Sequence, residues 1–258
     1  MMVDRSATTQ IVVKGHGPVR RLTLNRPARH NAQTPTMWAE LAAAGRELAS
    51  DPEVRCLIVS GSGESFSSGI DLDELRSPEG FIRRLAAHPV GDPDPMLADV
   101  EVAQQAFRWM FRAPFLVIAA VTGVAFGAGC QLALACDVRI VAADARLALR
   151  EARYGLIPDM GATASLPQLV GRERALDLIL TGRELTGTEA VSTGLALSAL
   201  PAAEVPAAVN EYAEQIARMP RSGIAYVKAA LDEPDPDRSL RVAALGQAAC
   251  IRQAALPD

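Results

Sequence analysis

Residues 113–136 carry no charged side chain. A run of that length could cross a bilayer as a helix; otherwise it must be buried inside a folded domain. Its internal punctuation favours burial. Phe115, Leu116, Val117 and Ile118 form a β-prone start, and Gly123, Gly127 and Gly129 then interrupt the run, with Thr122 and Gln131 adding polar groups. Strand, glycine turn and buried helix in succession is the better reading. The same order occurs earlier. Cys56, Leu57, Ile58 and Val59 are followed by Gly61, Gly63 and Gly69, and a helix start at Asp71. A strand that is apolar on both faces belongs in a parallel sheet covered by helices.

These two junctions, residues 60–71 and 122–131, carry the first chemical inference. A helix N-terminus presents unpaired N–H groups and the positive end of the helix dipole. Glycine lets the backbone come close to a ligand. Two such termini aimed at one point would hold an anion or a developing oxyanion; the plain alternative is a pair of tight turns. Gly127-Ala128-Gly129 with Glu151 further on also imitates part of a dinucleotide fingerprint, but Leu132 stands where its third glycine would be. No Gly-Lys-Ser/Thr follows either loop, which excludes a P-loop.

Elsewhere the chain alternates strand and helix. Residues 11–13 and 19–24 read as a hairpin, and Thr34-Pro35 starts a helix that Asp51-Pro52 ends. Residues 77–95 read in part as a mobile surface segment. Residues 97–112 are helical, 116–121 and 137–142 strand-like, and 167–181 one helix. Thr186 and Glu189 form a capping box for a helix over 186–193, and 195–200 is a last extended piece. From Pro206 onward only helical patterns remain, over 209–219, 222–231 and 239–255. This predicts an α/β core over residues 1–200 and a helical C-terminal unit over 201–258.

Composition narrows the function classes. Of 258 residues, 49% are apolar, enough to bury a large core, and the net charge of −4 lacks any basic run that would mark a nucleic-acid surface. A small polyanionic ligand needs only a few local Arg or Lys residues. Cys56, Cys130, Cys136 and Cys250 form no CxxC pair, so free thiols in a reducing cytoplasm are expected rather than disulfides or a metal site. His16, His30 and His88 are scattered, which gives no support to a Ser-His triad. The first six residues lack the apolar stretch of a secretory signal.

Several motifs, in order, resemble those of the crotonase (enoyl-CoA hydratase/isomerase) superfamily. They are Leu24-Asn25-Arg26-Pro27 with Asn31-Ala32; Phe66-Ser67-Ser68-Gly69-Ile70-Asp71-Leu72; Ile118-Ala119-Ala120-Val121-Thr122-Gly123 through Gln131 to Asp137; Gly155-Leu156-Ile157-Pro158; and Leu180-Thr181-Gly182-Arg183. The resemblance covers nearly the whole chain. It implies a spiral of ββα turns with a C-terminal helical trimerisation region, and a homotrimer or a dimer of trimers. It implies an acyl-CoA substrate and a stabilised thioester enolate, with no metal and no cofactor beyond the coenzyme A of the substrate. The two oxyanion donors would be the backbone N–H groups of Ile70 and Ala128. Ala28, Arg29, Ser68, Asp71, Leu72, Gly127 and Lys228 would line the coenzyme A and acyl groove, though an exposed helix lysine is the ordinary reading of Lys228.

The acid–base positions decide the reaction. Hydratases of the family carry two glutamates that hold and deprotonate a water. Glu151 matches one of them, and Gln131 stands at the other. A glutamine can orient a water but cannot take its proton. Asp159 stands where hydratases have glycine and where double-bond isomerases of the superfamily have aspartate. The Glu151/Asp159 pair therefore resembles that of dienoyl-CoA isomerases, with Asp159 as base and Glu151 as partner acid. Ordinary structural roles compete: Glu151 could pair with Arg150 or Arg153, and Asp159 could cap a helix starting near Gly161. The expected activity is that of an enoyl- or dienoyl-CoA double-bond isomerase. The alternatives are an enoyl-CoA hydratase and a non-catalytic acyl-CoA-binding paralogue, the last suggested by Gln131, Ala128 and Ala162.

Overall fold

The structure, a computed structural model, describes residues 9–253. Expectations for the first six residues and for the end of the last helix, residues 254 and 255, lie outside them. The hairpin is present as β1 (Ile11–Lys14) and β2 (Val19–Leu24). Helix α1 (Pro35–Ser50) begins as its sequence dictates: the Thr34 hydroxyl accepts the Met37 N–H, and Pro35 occupies the first position. Its buried side chains, Met37, Trp38, Leu41, Ala44 and Leu48, recur at helical spacing.

The chain continues through β3 (Cys56–Gly61), α2 (Leu72–Arg76), α3 (Phe81–Ala86), α4 (Pro95–Phe111), β4 (Leu116–Val121), β5 (Val124–Phe126) and α5 (Ala128–Ala135). It then forms β6 (Val138–Ala142), β7 (Arg146–Ala148), a 3-10 turn at Glu151–Tyr154, α6 (Ala162–Val170), α7 (Arg172–Thr181), β8 (Leu185–Thr186), α8 (Gly187–Ser192) and β9 (Ser198–Leu200). Helices α9 (Val205–Ile216), α10 (Arg221–Leu231) and α11 (Pro236–Gln253) close it.

Strands β1-β2-β3-β4-β6-β9 form one sheet, parallel from β2 onward. A second sheet runs β5-β7-β8. The order explains the architecture. β4 enters the large sheet and β5 the small one before α5; β6 and β7 repeat the division. Isolated bridges extend the small layer backwards, pairing Ser67 with Ala125 and Gln33 with Ile70. Successive turns of chain are thus stacked on one another, as a spiral of ββα units requires. α1 packs against α4, where Gly45 leaves room for the Trp109 ring. α9 lies over β3, β4 and β6.

One expectation changes. The helix predicted over 167–181 is two helices, because Gly171 (φ 79°) takes a backbone conformation that ends α6 before α7 begins. Within the segment 77–95 lies α3, whose Phe81 ring meets Trp38 edge-on at 5.2 Å. Among the described residues no helix is long and apolar enough to cross a membrane, and residues 113–136 form β4, β5 and α5.

Candidate active site

The two glycine loops meet as a seam. Ser67 N–H donates to Val124 O, and Phe126 N–H returns a bond to Ser67 O. On its other side the first loop is zipped to Gln33: Gln33 N–H donates to Gly69 O and Asp71 N–H to Gln33 O. That alternation turns the Ile70 N–H away from Gln33, and among the described residues it donates to no protein acceptor. Ala128 opens α5, so its N–H has no carbonyl of an earlier turn to reach. Gly69, at φ 94°, brings the loops together: a Cβ there would sit 2.5 Å from Phe126 O and 3.4 Å from Ala128 N. Gly127 (φ 51°, ψ −124°) precedes Ala128 with no side-chain cap to compete for the helix start. Gly69 thus sets the Ile70 and Ala128 peptide groups close together on consecutive spiral turns.

Glu151 stands beside these groups. A Cβ on Gly127 would lie 3.6 Å from Glu151 Oε1. Gln131 Nε2 donates to the same oxygen at 2.8 Å, and Gln131 Oε1 accepts Met160 N–H at 2.9 Å. Glu151 Oε2 is buried and, among the described residues, meets no partner from another residue. Burial raises the Glu151 pKa; its own backbone N–H and Gln131 pull it back, and the Asp159 charge raises it again. Asp159 is open to solvent on one side and packed on the other, and the packed side raises its carboxyl pKa as well.

The structural alternatives for this pair are not what the fold uses. Arg150 turns from Glu151 to stack over the Phe126 ring, 3.4 Å from its centre, and to bind Glu184 at 2.5 Å. Arg153 reaches Gly182 O. The N-cap of α6 is Gly161, with no side-chain cap, so Asp159 does not serve there.

The groove residues divide. Ala28 and Arg29 lie exposed on a 3-10 turn at Pro27–Arg29, beside half-buried Ser68, whose hydroxyl reaches Arg29 O; Leu72 is exposed nearby. Asp71 departs from the expected role. It is 3% exposed, and its carboxylate is taken by Arg26 and Arg29, each at 2.9 Å, and by Asp73 N–H. Burial alone would raise its pKa, but these partners hold it below the usual range. It ties the first loop to the turn after β2, with both carboxylate oxygens engaged inside the fold.

Lys228 departs likewise. Its ammonium donates to Asp137 Oδ2 at 2.7 Å, Phe115 O at 3.1 Å and Met110 O at 3.4 Å, which uses all three of its protons inside the fold. Lys228→Met should destabilise the protein by about 3 kcal/mol, since a largely buried Asp137 loses its counter-charge. Denaturant unfolding checks this, and adding Asp137→Asn should recover part of the loss. Sequence reasoning missed Arg26, Glu184 and Gln104 as supports of the site. Their partners lie 45, 34 and 55 positions away along the chain.

A sequence profile described as enoyl-CoA hydratase/isomerase matches residues 15–248. The chain belongs to the enoyl-CoA hydratase/isomerase family. A Mycobacterium bovis protein named as an enoyl-CoA hydratase is 33% identical over 226 residues, spanning 86% of this chain and 80% of that one. The 1,2-epoxyphenylacetyl-CoA isomerase of Escherichia coli K12 is 33% identical over 218 residues, spanning 84% and 79%. A Thermobifida fusca YX structure named for enoyl-CoA hydratase and solved in complex with CoA superposes with a TM-score of 0.84 at 35% identity, covering 95% of this chain and 94% of that one. The stacked ββα turns are those of the crotonase fold, and the family relatives carry both hydratase and isomerase names.

Proposed function

We propose that this family member moves a carbon–carbon double bond in an enoyl- or dienoyl-CoA thioester. One observation carries the reading: both ends of the Gln131 amide are occupied, by Glu151 and by Met160 N–H, while Glu151 Oε2 is buried without a partner. A hydratase of the family uses two carboxylates around one water, and Gln131, its oxygen already accepting Met160 N–H, cannot take a proton. Isomerisation needs only one group to take a proton and another to return it. Asp159 removes a proton from the acyl chain, and the electron pair shifts onto the thioester oxygen. The Ile70 and Ala128 N–H groups hold that oxyanion. Protonated Glu151 then delivers a proton to the other end of the conjugated system, and the carbonyl re-forms with the double bond moved. The raised carboxyl pKa values suit an acid and a base that trade one proton.

Acyl-CoA is the proposed substrate, with no cofactor beyond its own coenzyme A and with Ala28, Arg29, Ser68, Leu72 and Gly127 along its groove. A homotrimer or dimer of trimers in the cytoplasm is the proposed assembly. The α10–α11 pair supports it: Gly246 is the sole buried residue of α11, and Leu231, Leu240, Leu245 and Ile251 are exposed.

The test compares 2-enoyl-, 3-enoyl- and 3,5-dienoyl-CoA with wild type, Glu151→Gln and Asp159→Asn. Isomerisation should dominate and both variants should lose it. Dominant hydration with Asp159→Asn unaffected would make the chain a hydratase instead. Binding without turnover of any of the three would make it an acyl-CoA-binding paralogue.

A further inference from the structure

A line of hydrogen bonds enters the site from α4. Gln104 Nε2 donates to the backbone carbonyl of Asp159 at 2.8 Å. The N–H of that same peptide group, on Met160, donates to Gln131 Oε1 at 2.9 Å. Gln131 Nε2 then donates to Glu151 Oε1 at 2.8 Å. Every link donates in the same direction, so three amide groups point their dipoles toward one carboxylate and polarise one another. Two glutamines, from α4 and α5, grip opposite edges of the single peptide unit between Asp159 and Met160.

We infer that Gln104 is a positioning residue for the acid–base pair, setting Asp159 through its backbone and Glu151 through Met160 and Gln131. The inference rests on the reading of Glu151 and Asp159 as proton carriers. Among the described residues no hydrogen-bonding group of another residue reaches the Asp159 carboxyl, so its backbone tether determines where that carboxyl stands. The tether acts within a segment bounded by two glycines of positive φ, Gly155 (φ 70°) and Gly161 (φ 116°). Gln104 is half-buried on α4 and touches neither carboxyl group in this arrangement, so it acts only through the peptide unit.

Gln104→Glu is the sharpest probe, because it keeps size and shape while replacing the donor with a group that faces the carbonyl with negative charge. Gln104→Lys keeps a donor. Three readouts are taken on wild type and both variants: turnover of the enoyl-CoA panel, α-proton exchange of butyryl-CoA in D2O, and amide exchange over residues 156–162 followed by mass spectrometry. Gln104→Glu should lower kcat and α-proton exchange at least tenfold with KM within about twofold, and should speed amide exchange in that segment. Gln104→Lys should recover to within about threefold of wild type. Wild-type rates in Gln104→Glu would overturn the inference. So would a Gln104→Lys variant as slow as Gln104→Glu with the same drop in melting temperature, which would mark a merely structural contact. If Glu151→Gln and Asp159→Asn themselves keep wild-type turnover, the acid–base reading fails and the inference with it. If those two collapse and Gln104→Glu does not, the inference alone fails.

Discussion

Glu151→Gln should lower kcat by about a thousandfold while leaving KM within a few-fold of wild type. A positioned proton-transfer group contributes about 10²–10⁴ in rate, and one that acts only in the transition state changes kcat without weakening ground-state binding. Steady-state kinetics on the preferred thioester checks it, and a fall in kcat of less than tenfold would remove Glu151 from the chemistry. The same change should make the protein more stable. The folded-state pKa of Glu151 is raised, so protonated Glu151 is tolerated at low pH, and its ionised form costs stability as pH rises through the folded value. A neutral amide avoids that cost. Melting curves should therefore place Glu151→Gln above wild type at pH 8, with the gain fading toward pH 4, where the carboxyl is protonated in both folded and unfolded chains. An inactive variant that is more stable at alkaline pH indicates a residue kept for reactivity at the expense of the fold.

The second large effect is expected at Gly69. A methyl group on this residue would sit 2.5 Å from the Phe126 carbonyl oxygen, and the φ of 94° is itself poor for alanine. Gly69→Ala must part the two loops, which moves the Ile70 N–H away from the Ala128 N–H. Losing one oxyanion donor costs about 3 kcal/mol of transition-state stabilisation, so kcat should fall by about 10²–10³. Gly171→Ala is the matching control. Its φ of 79° is also left-handed, nothing lies within 4 Å of its added carbon, and it stands between α6 and α7. That variant should lose about 1 kcal/mol of stability and keep its kcat. Equal kinetic losses in both variants would mean that the Gly69 effect is general backbone strain rather than loss of the oxyanion geometry.

The sequence revealed local features more readily than long-range ones. Thr34-Pro35, the Thr186/Glu189 capping box and the glycines after β3 and β4 act within a few residues, so their signals were readable. β5, β7 and β8 were not, since each has three residues or fewer and no alternation of its own. They exist because a neighbouring turn of the spiral offers a partner strand. The break at Gly171 was hidden because apolar spacing continues across it from Leu169 to Leu178. At the site, the resemblance pointed to Gln131, Glu151 and Asp159, but the orientation of the Gln131 amide depends on Met160, 29 residues away. The inward pairing of Asp71 and Lys228 is illegible for the same reason: Arg26 is 45 positions from the first, and Asp137 is 91 from the second.

The seam between the spiral turns also affects how such a protein can change. Its two donors belong to the main chain, and their positions are fixed by ladder bonds at Ser67, Gln33 and Phe126 that almost any side chain would allow. Substitutions at Ile70 or Ala128 are therefore nearly silent for charge stabilisation, provided the new residue fits. The proposed proton carriers, Glu151 and Asp159, hang on separate stretches, the exit of β7 and the approach to α6. On the proposed mechanism the acid–base pair can be exchanged while the main-chain donors stay in place.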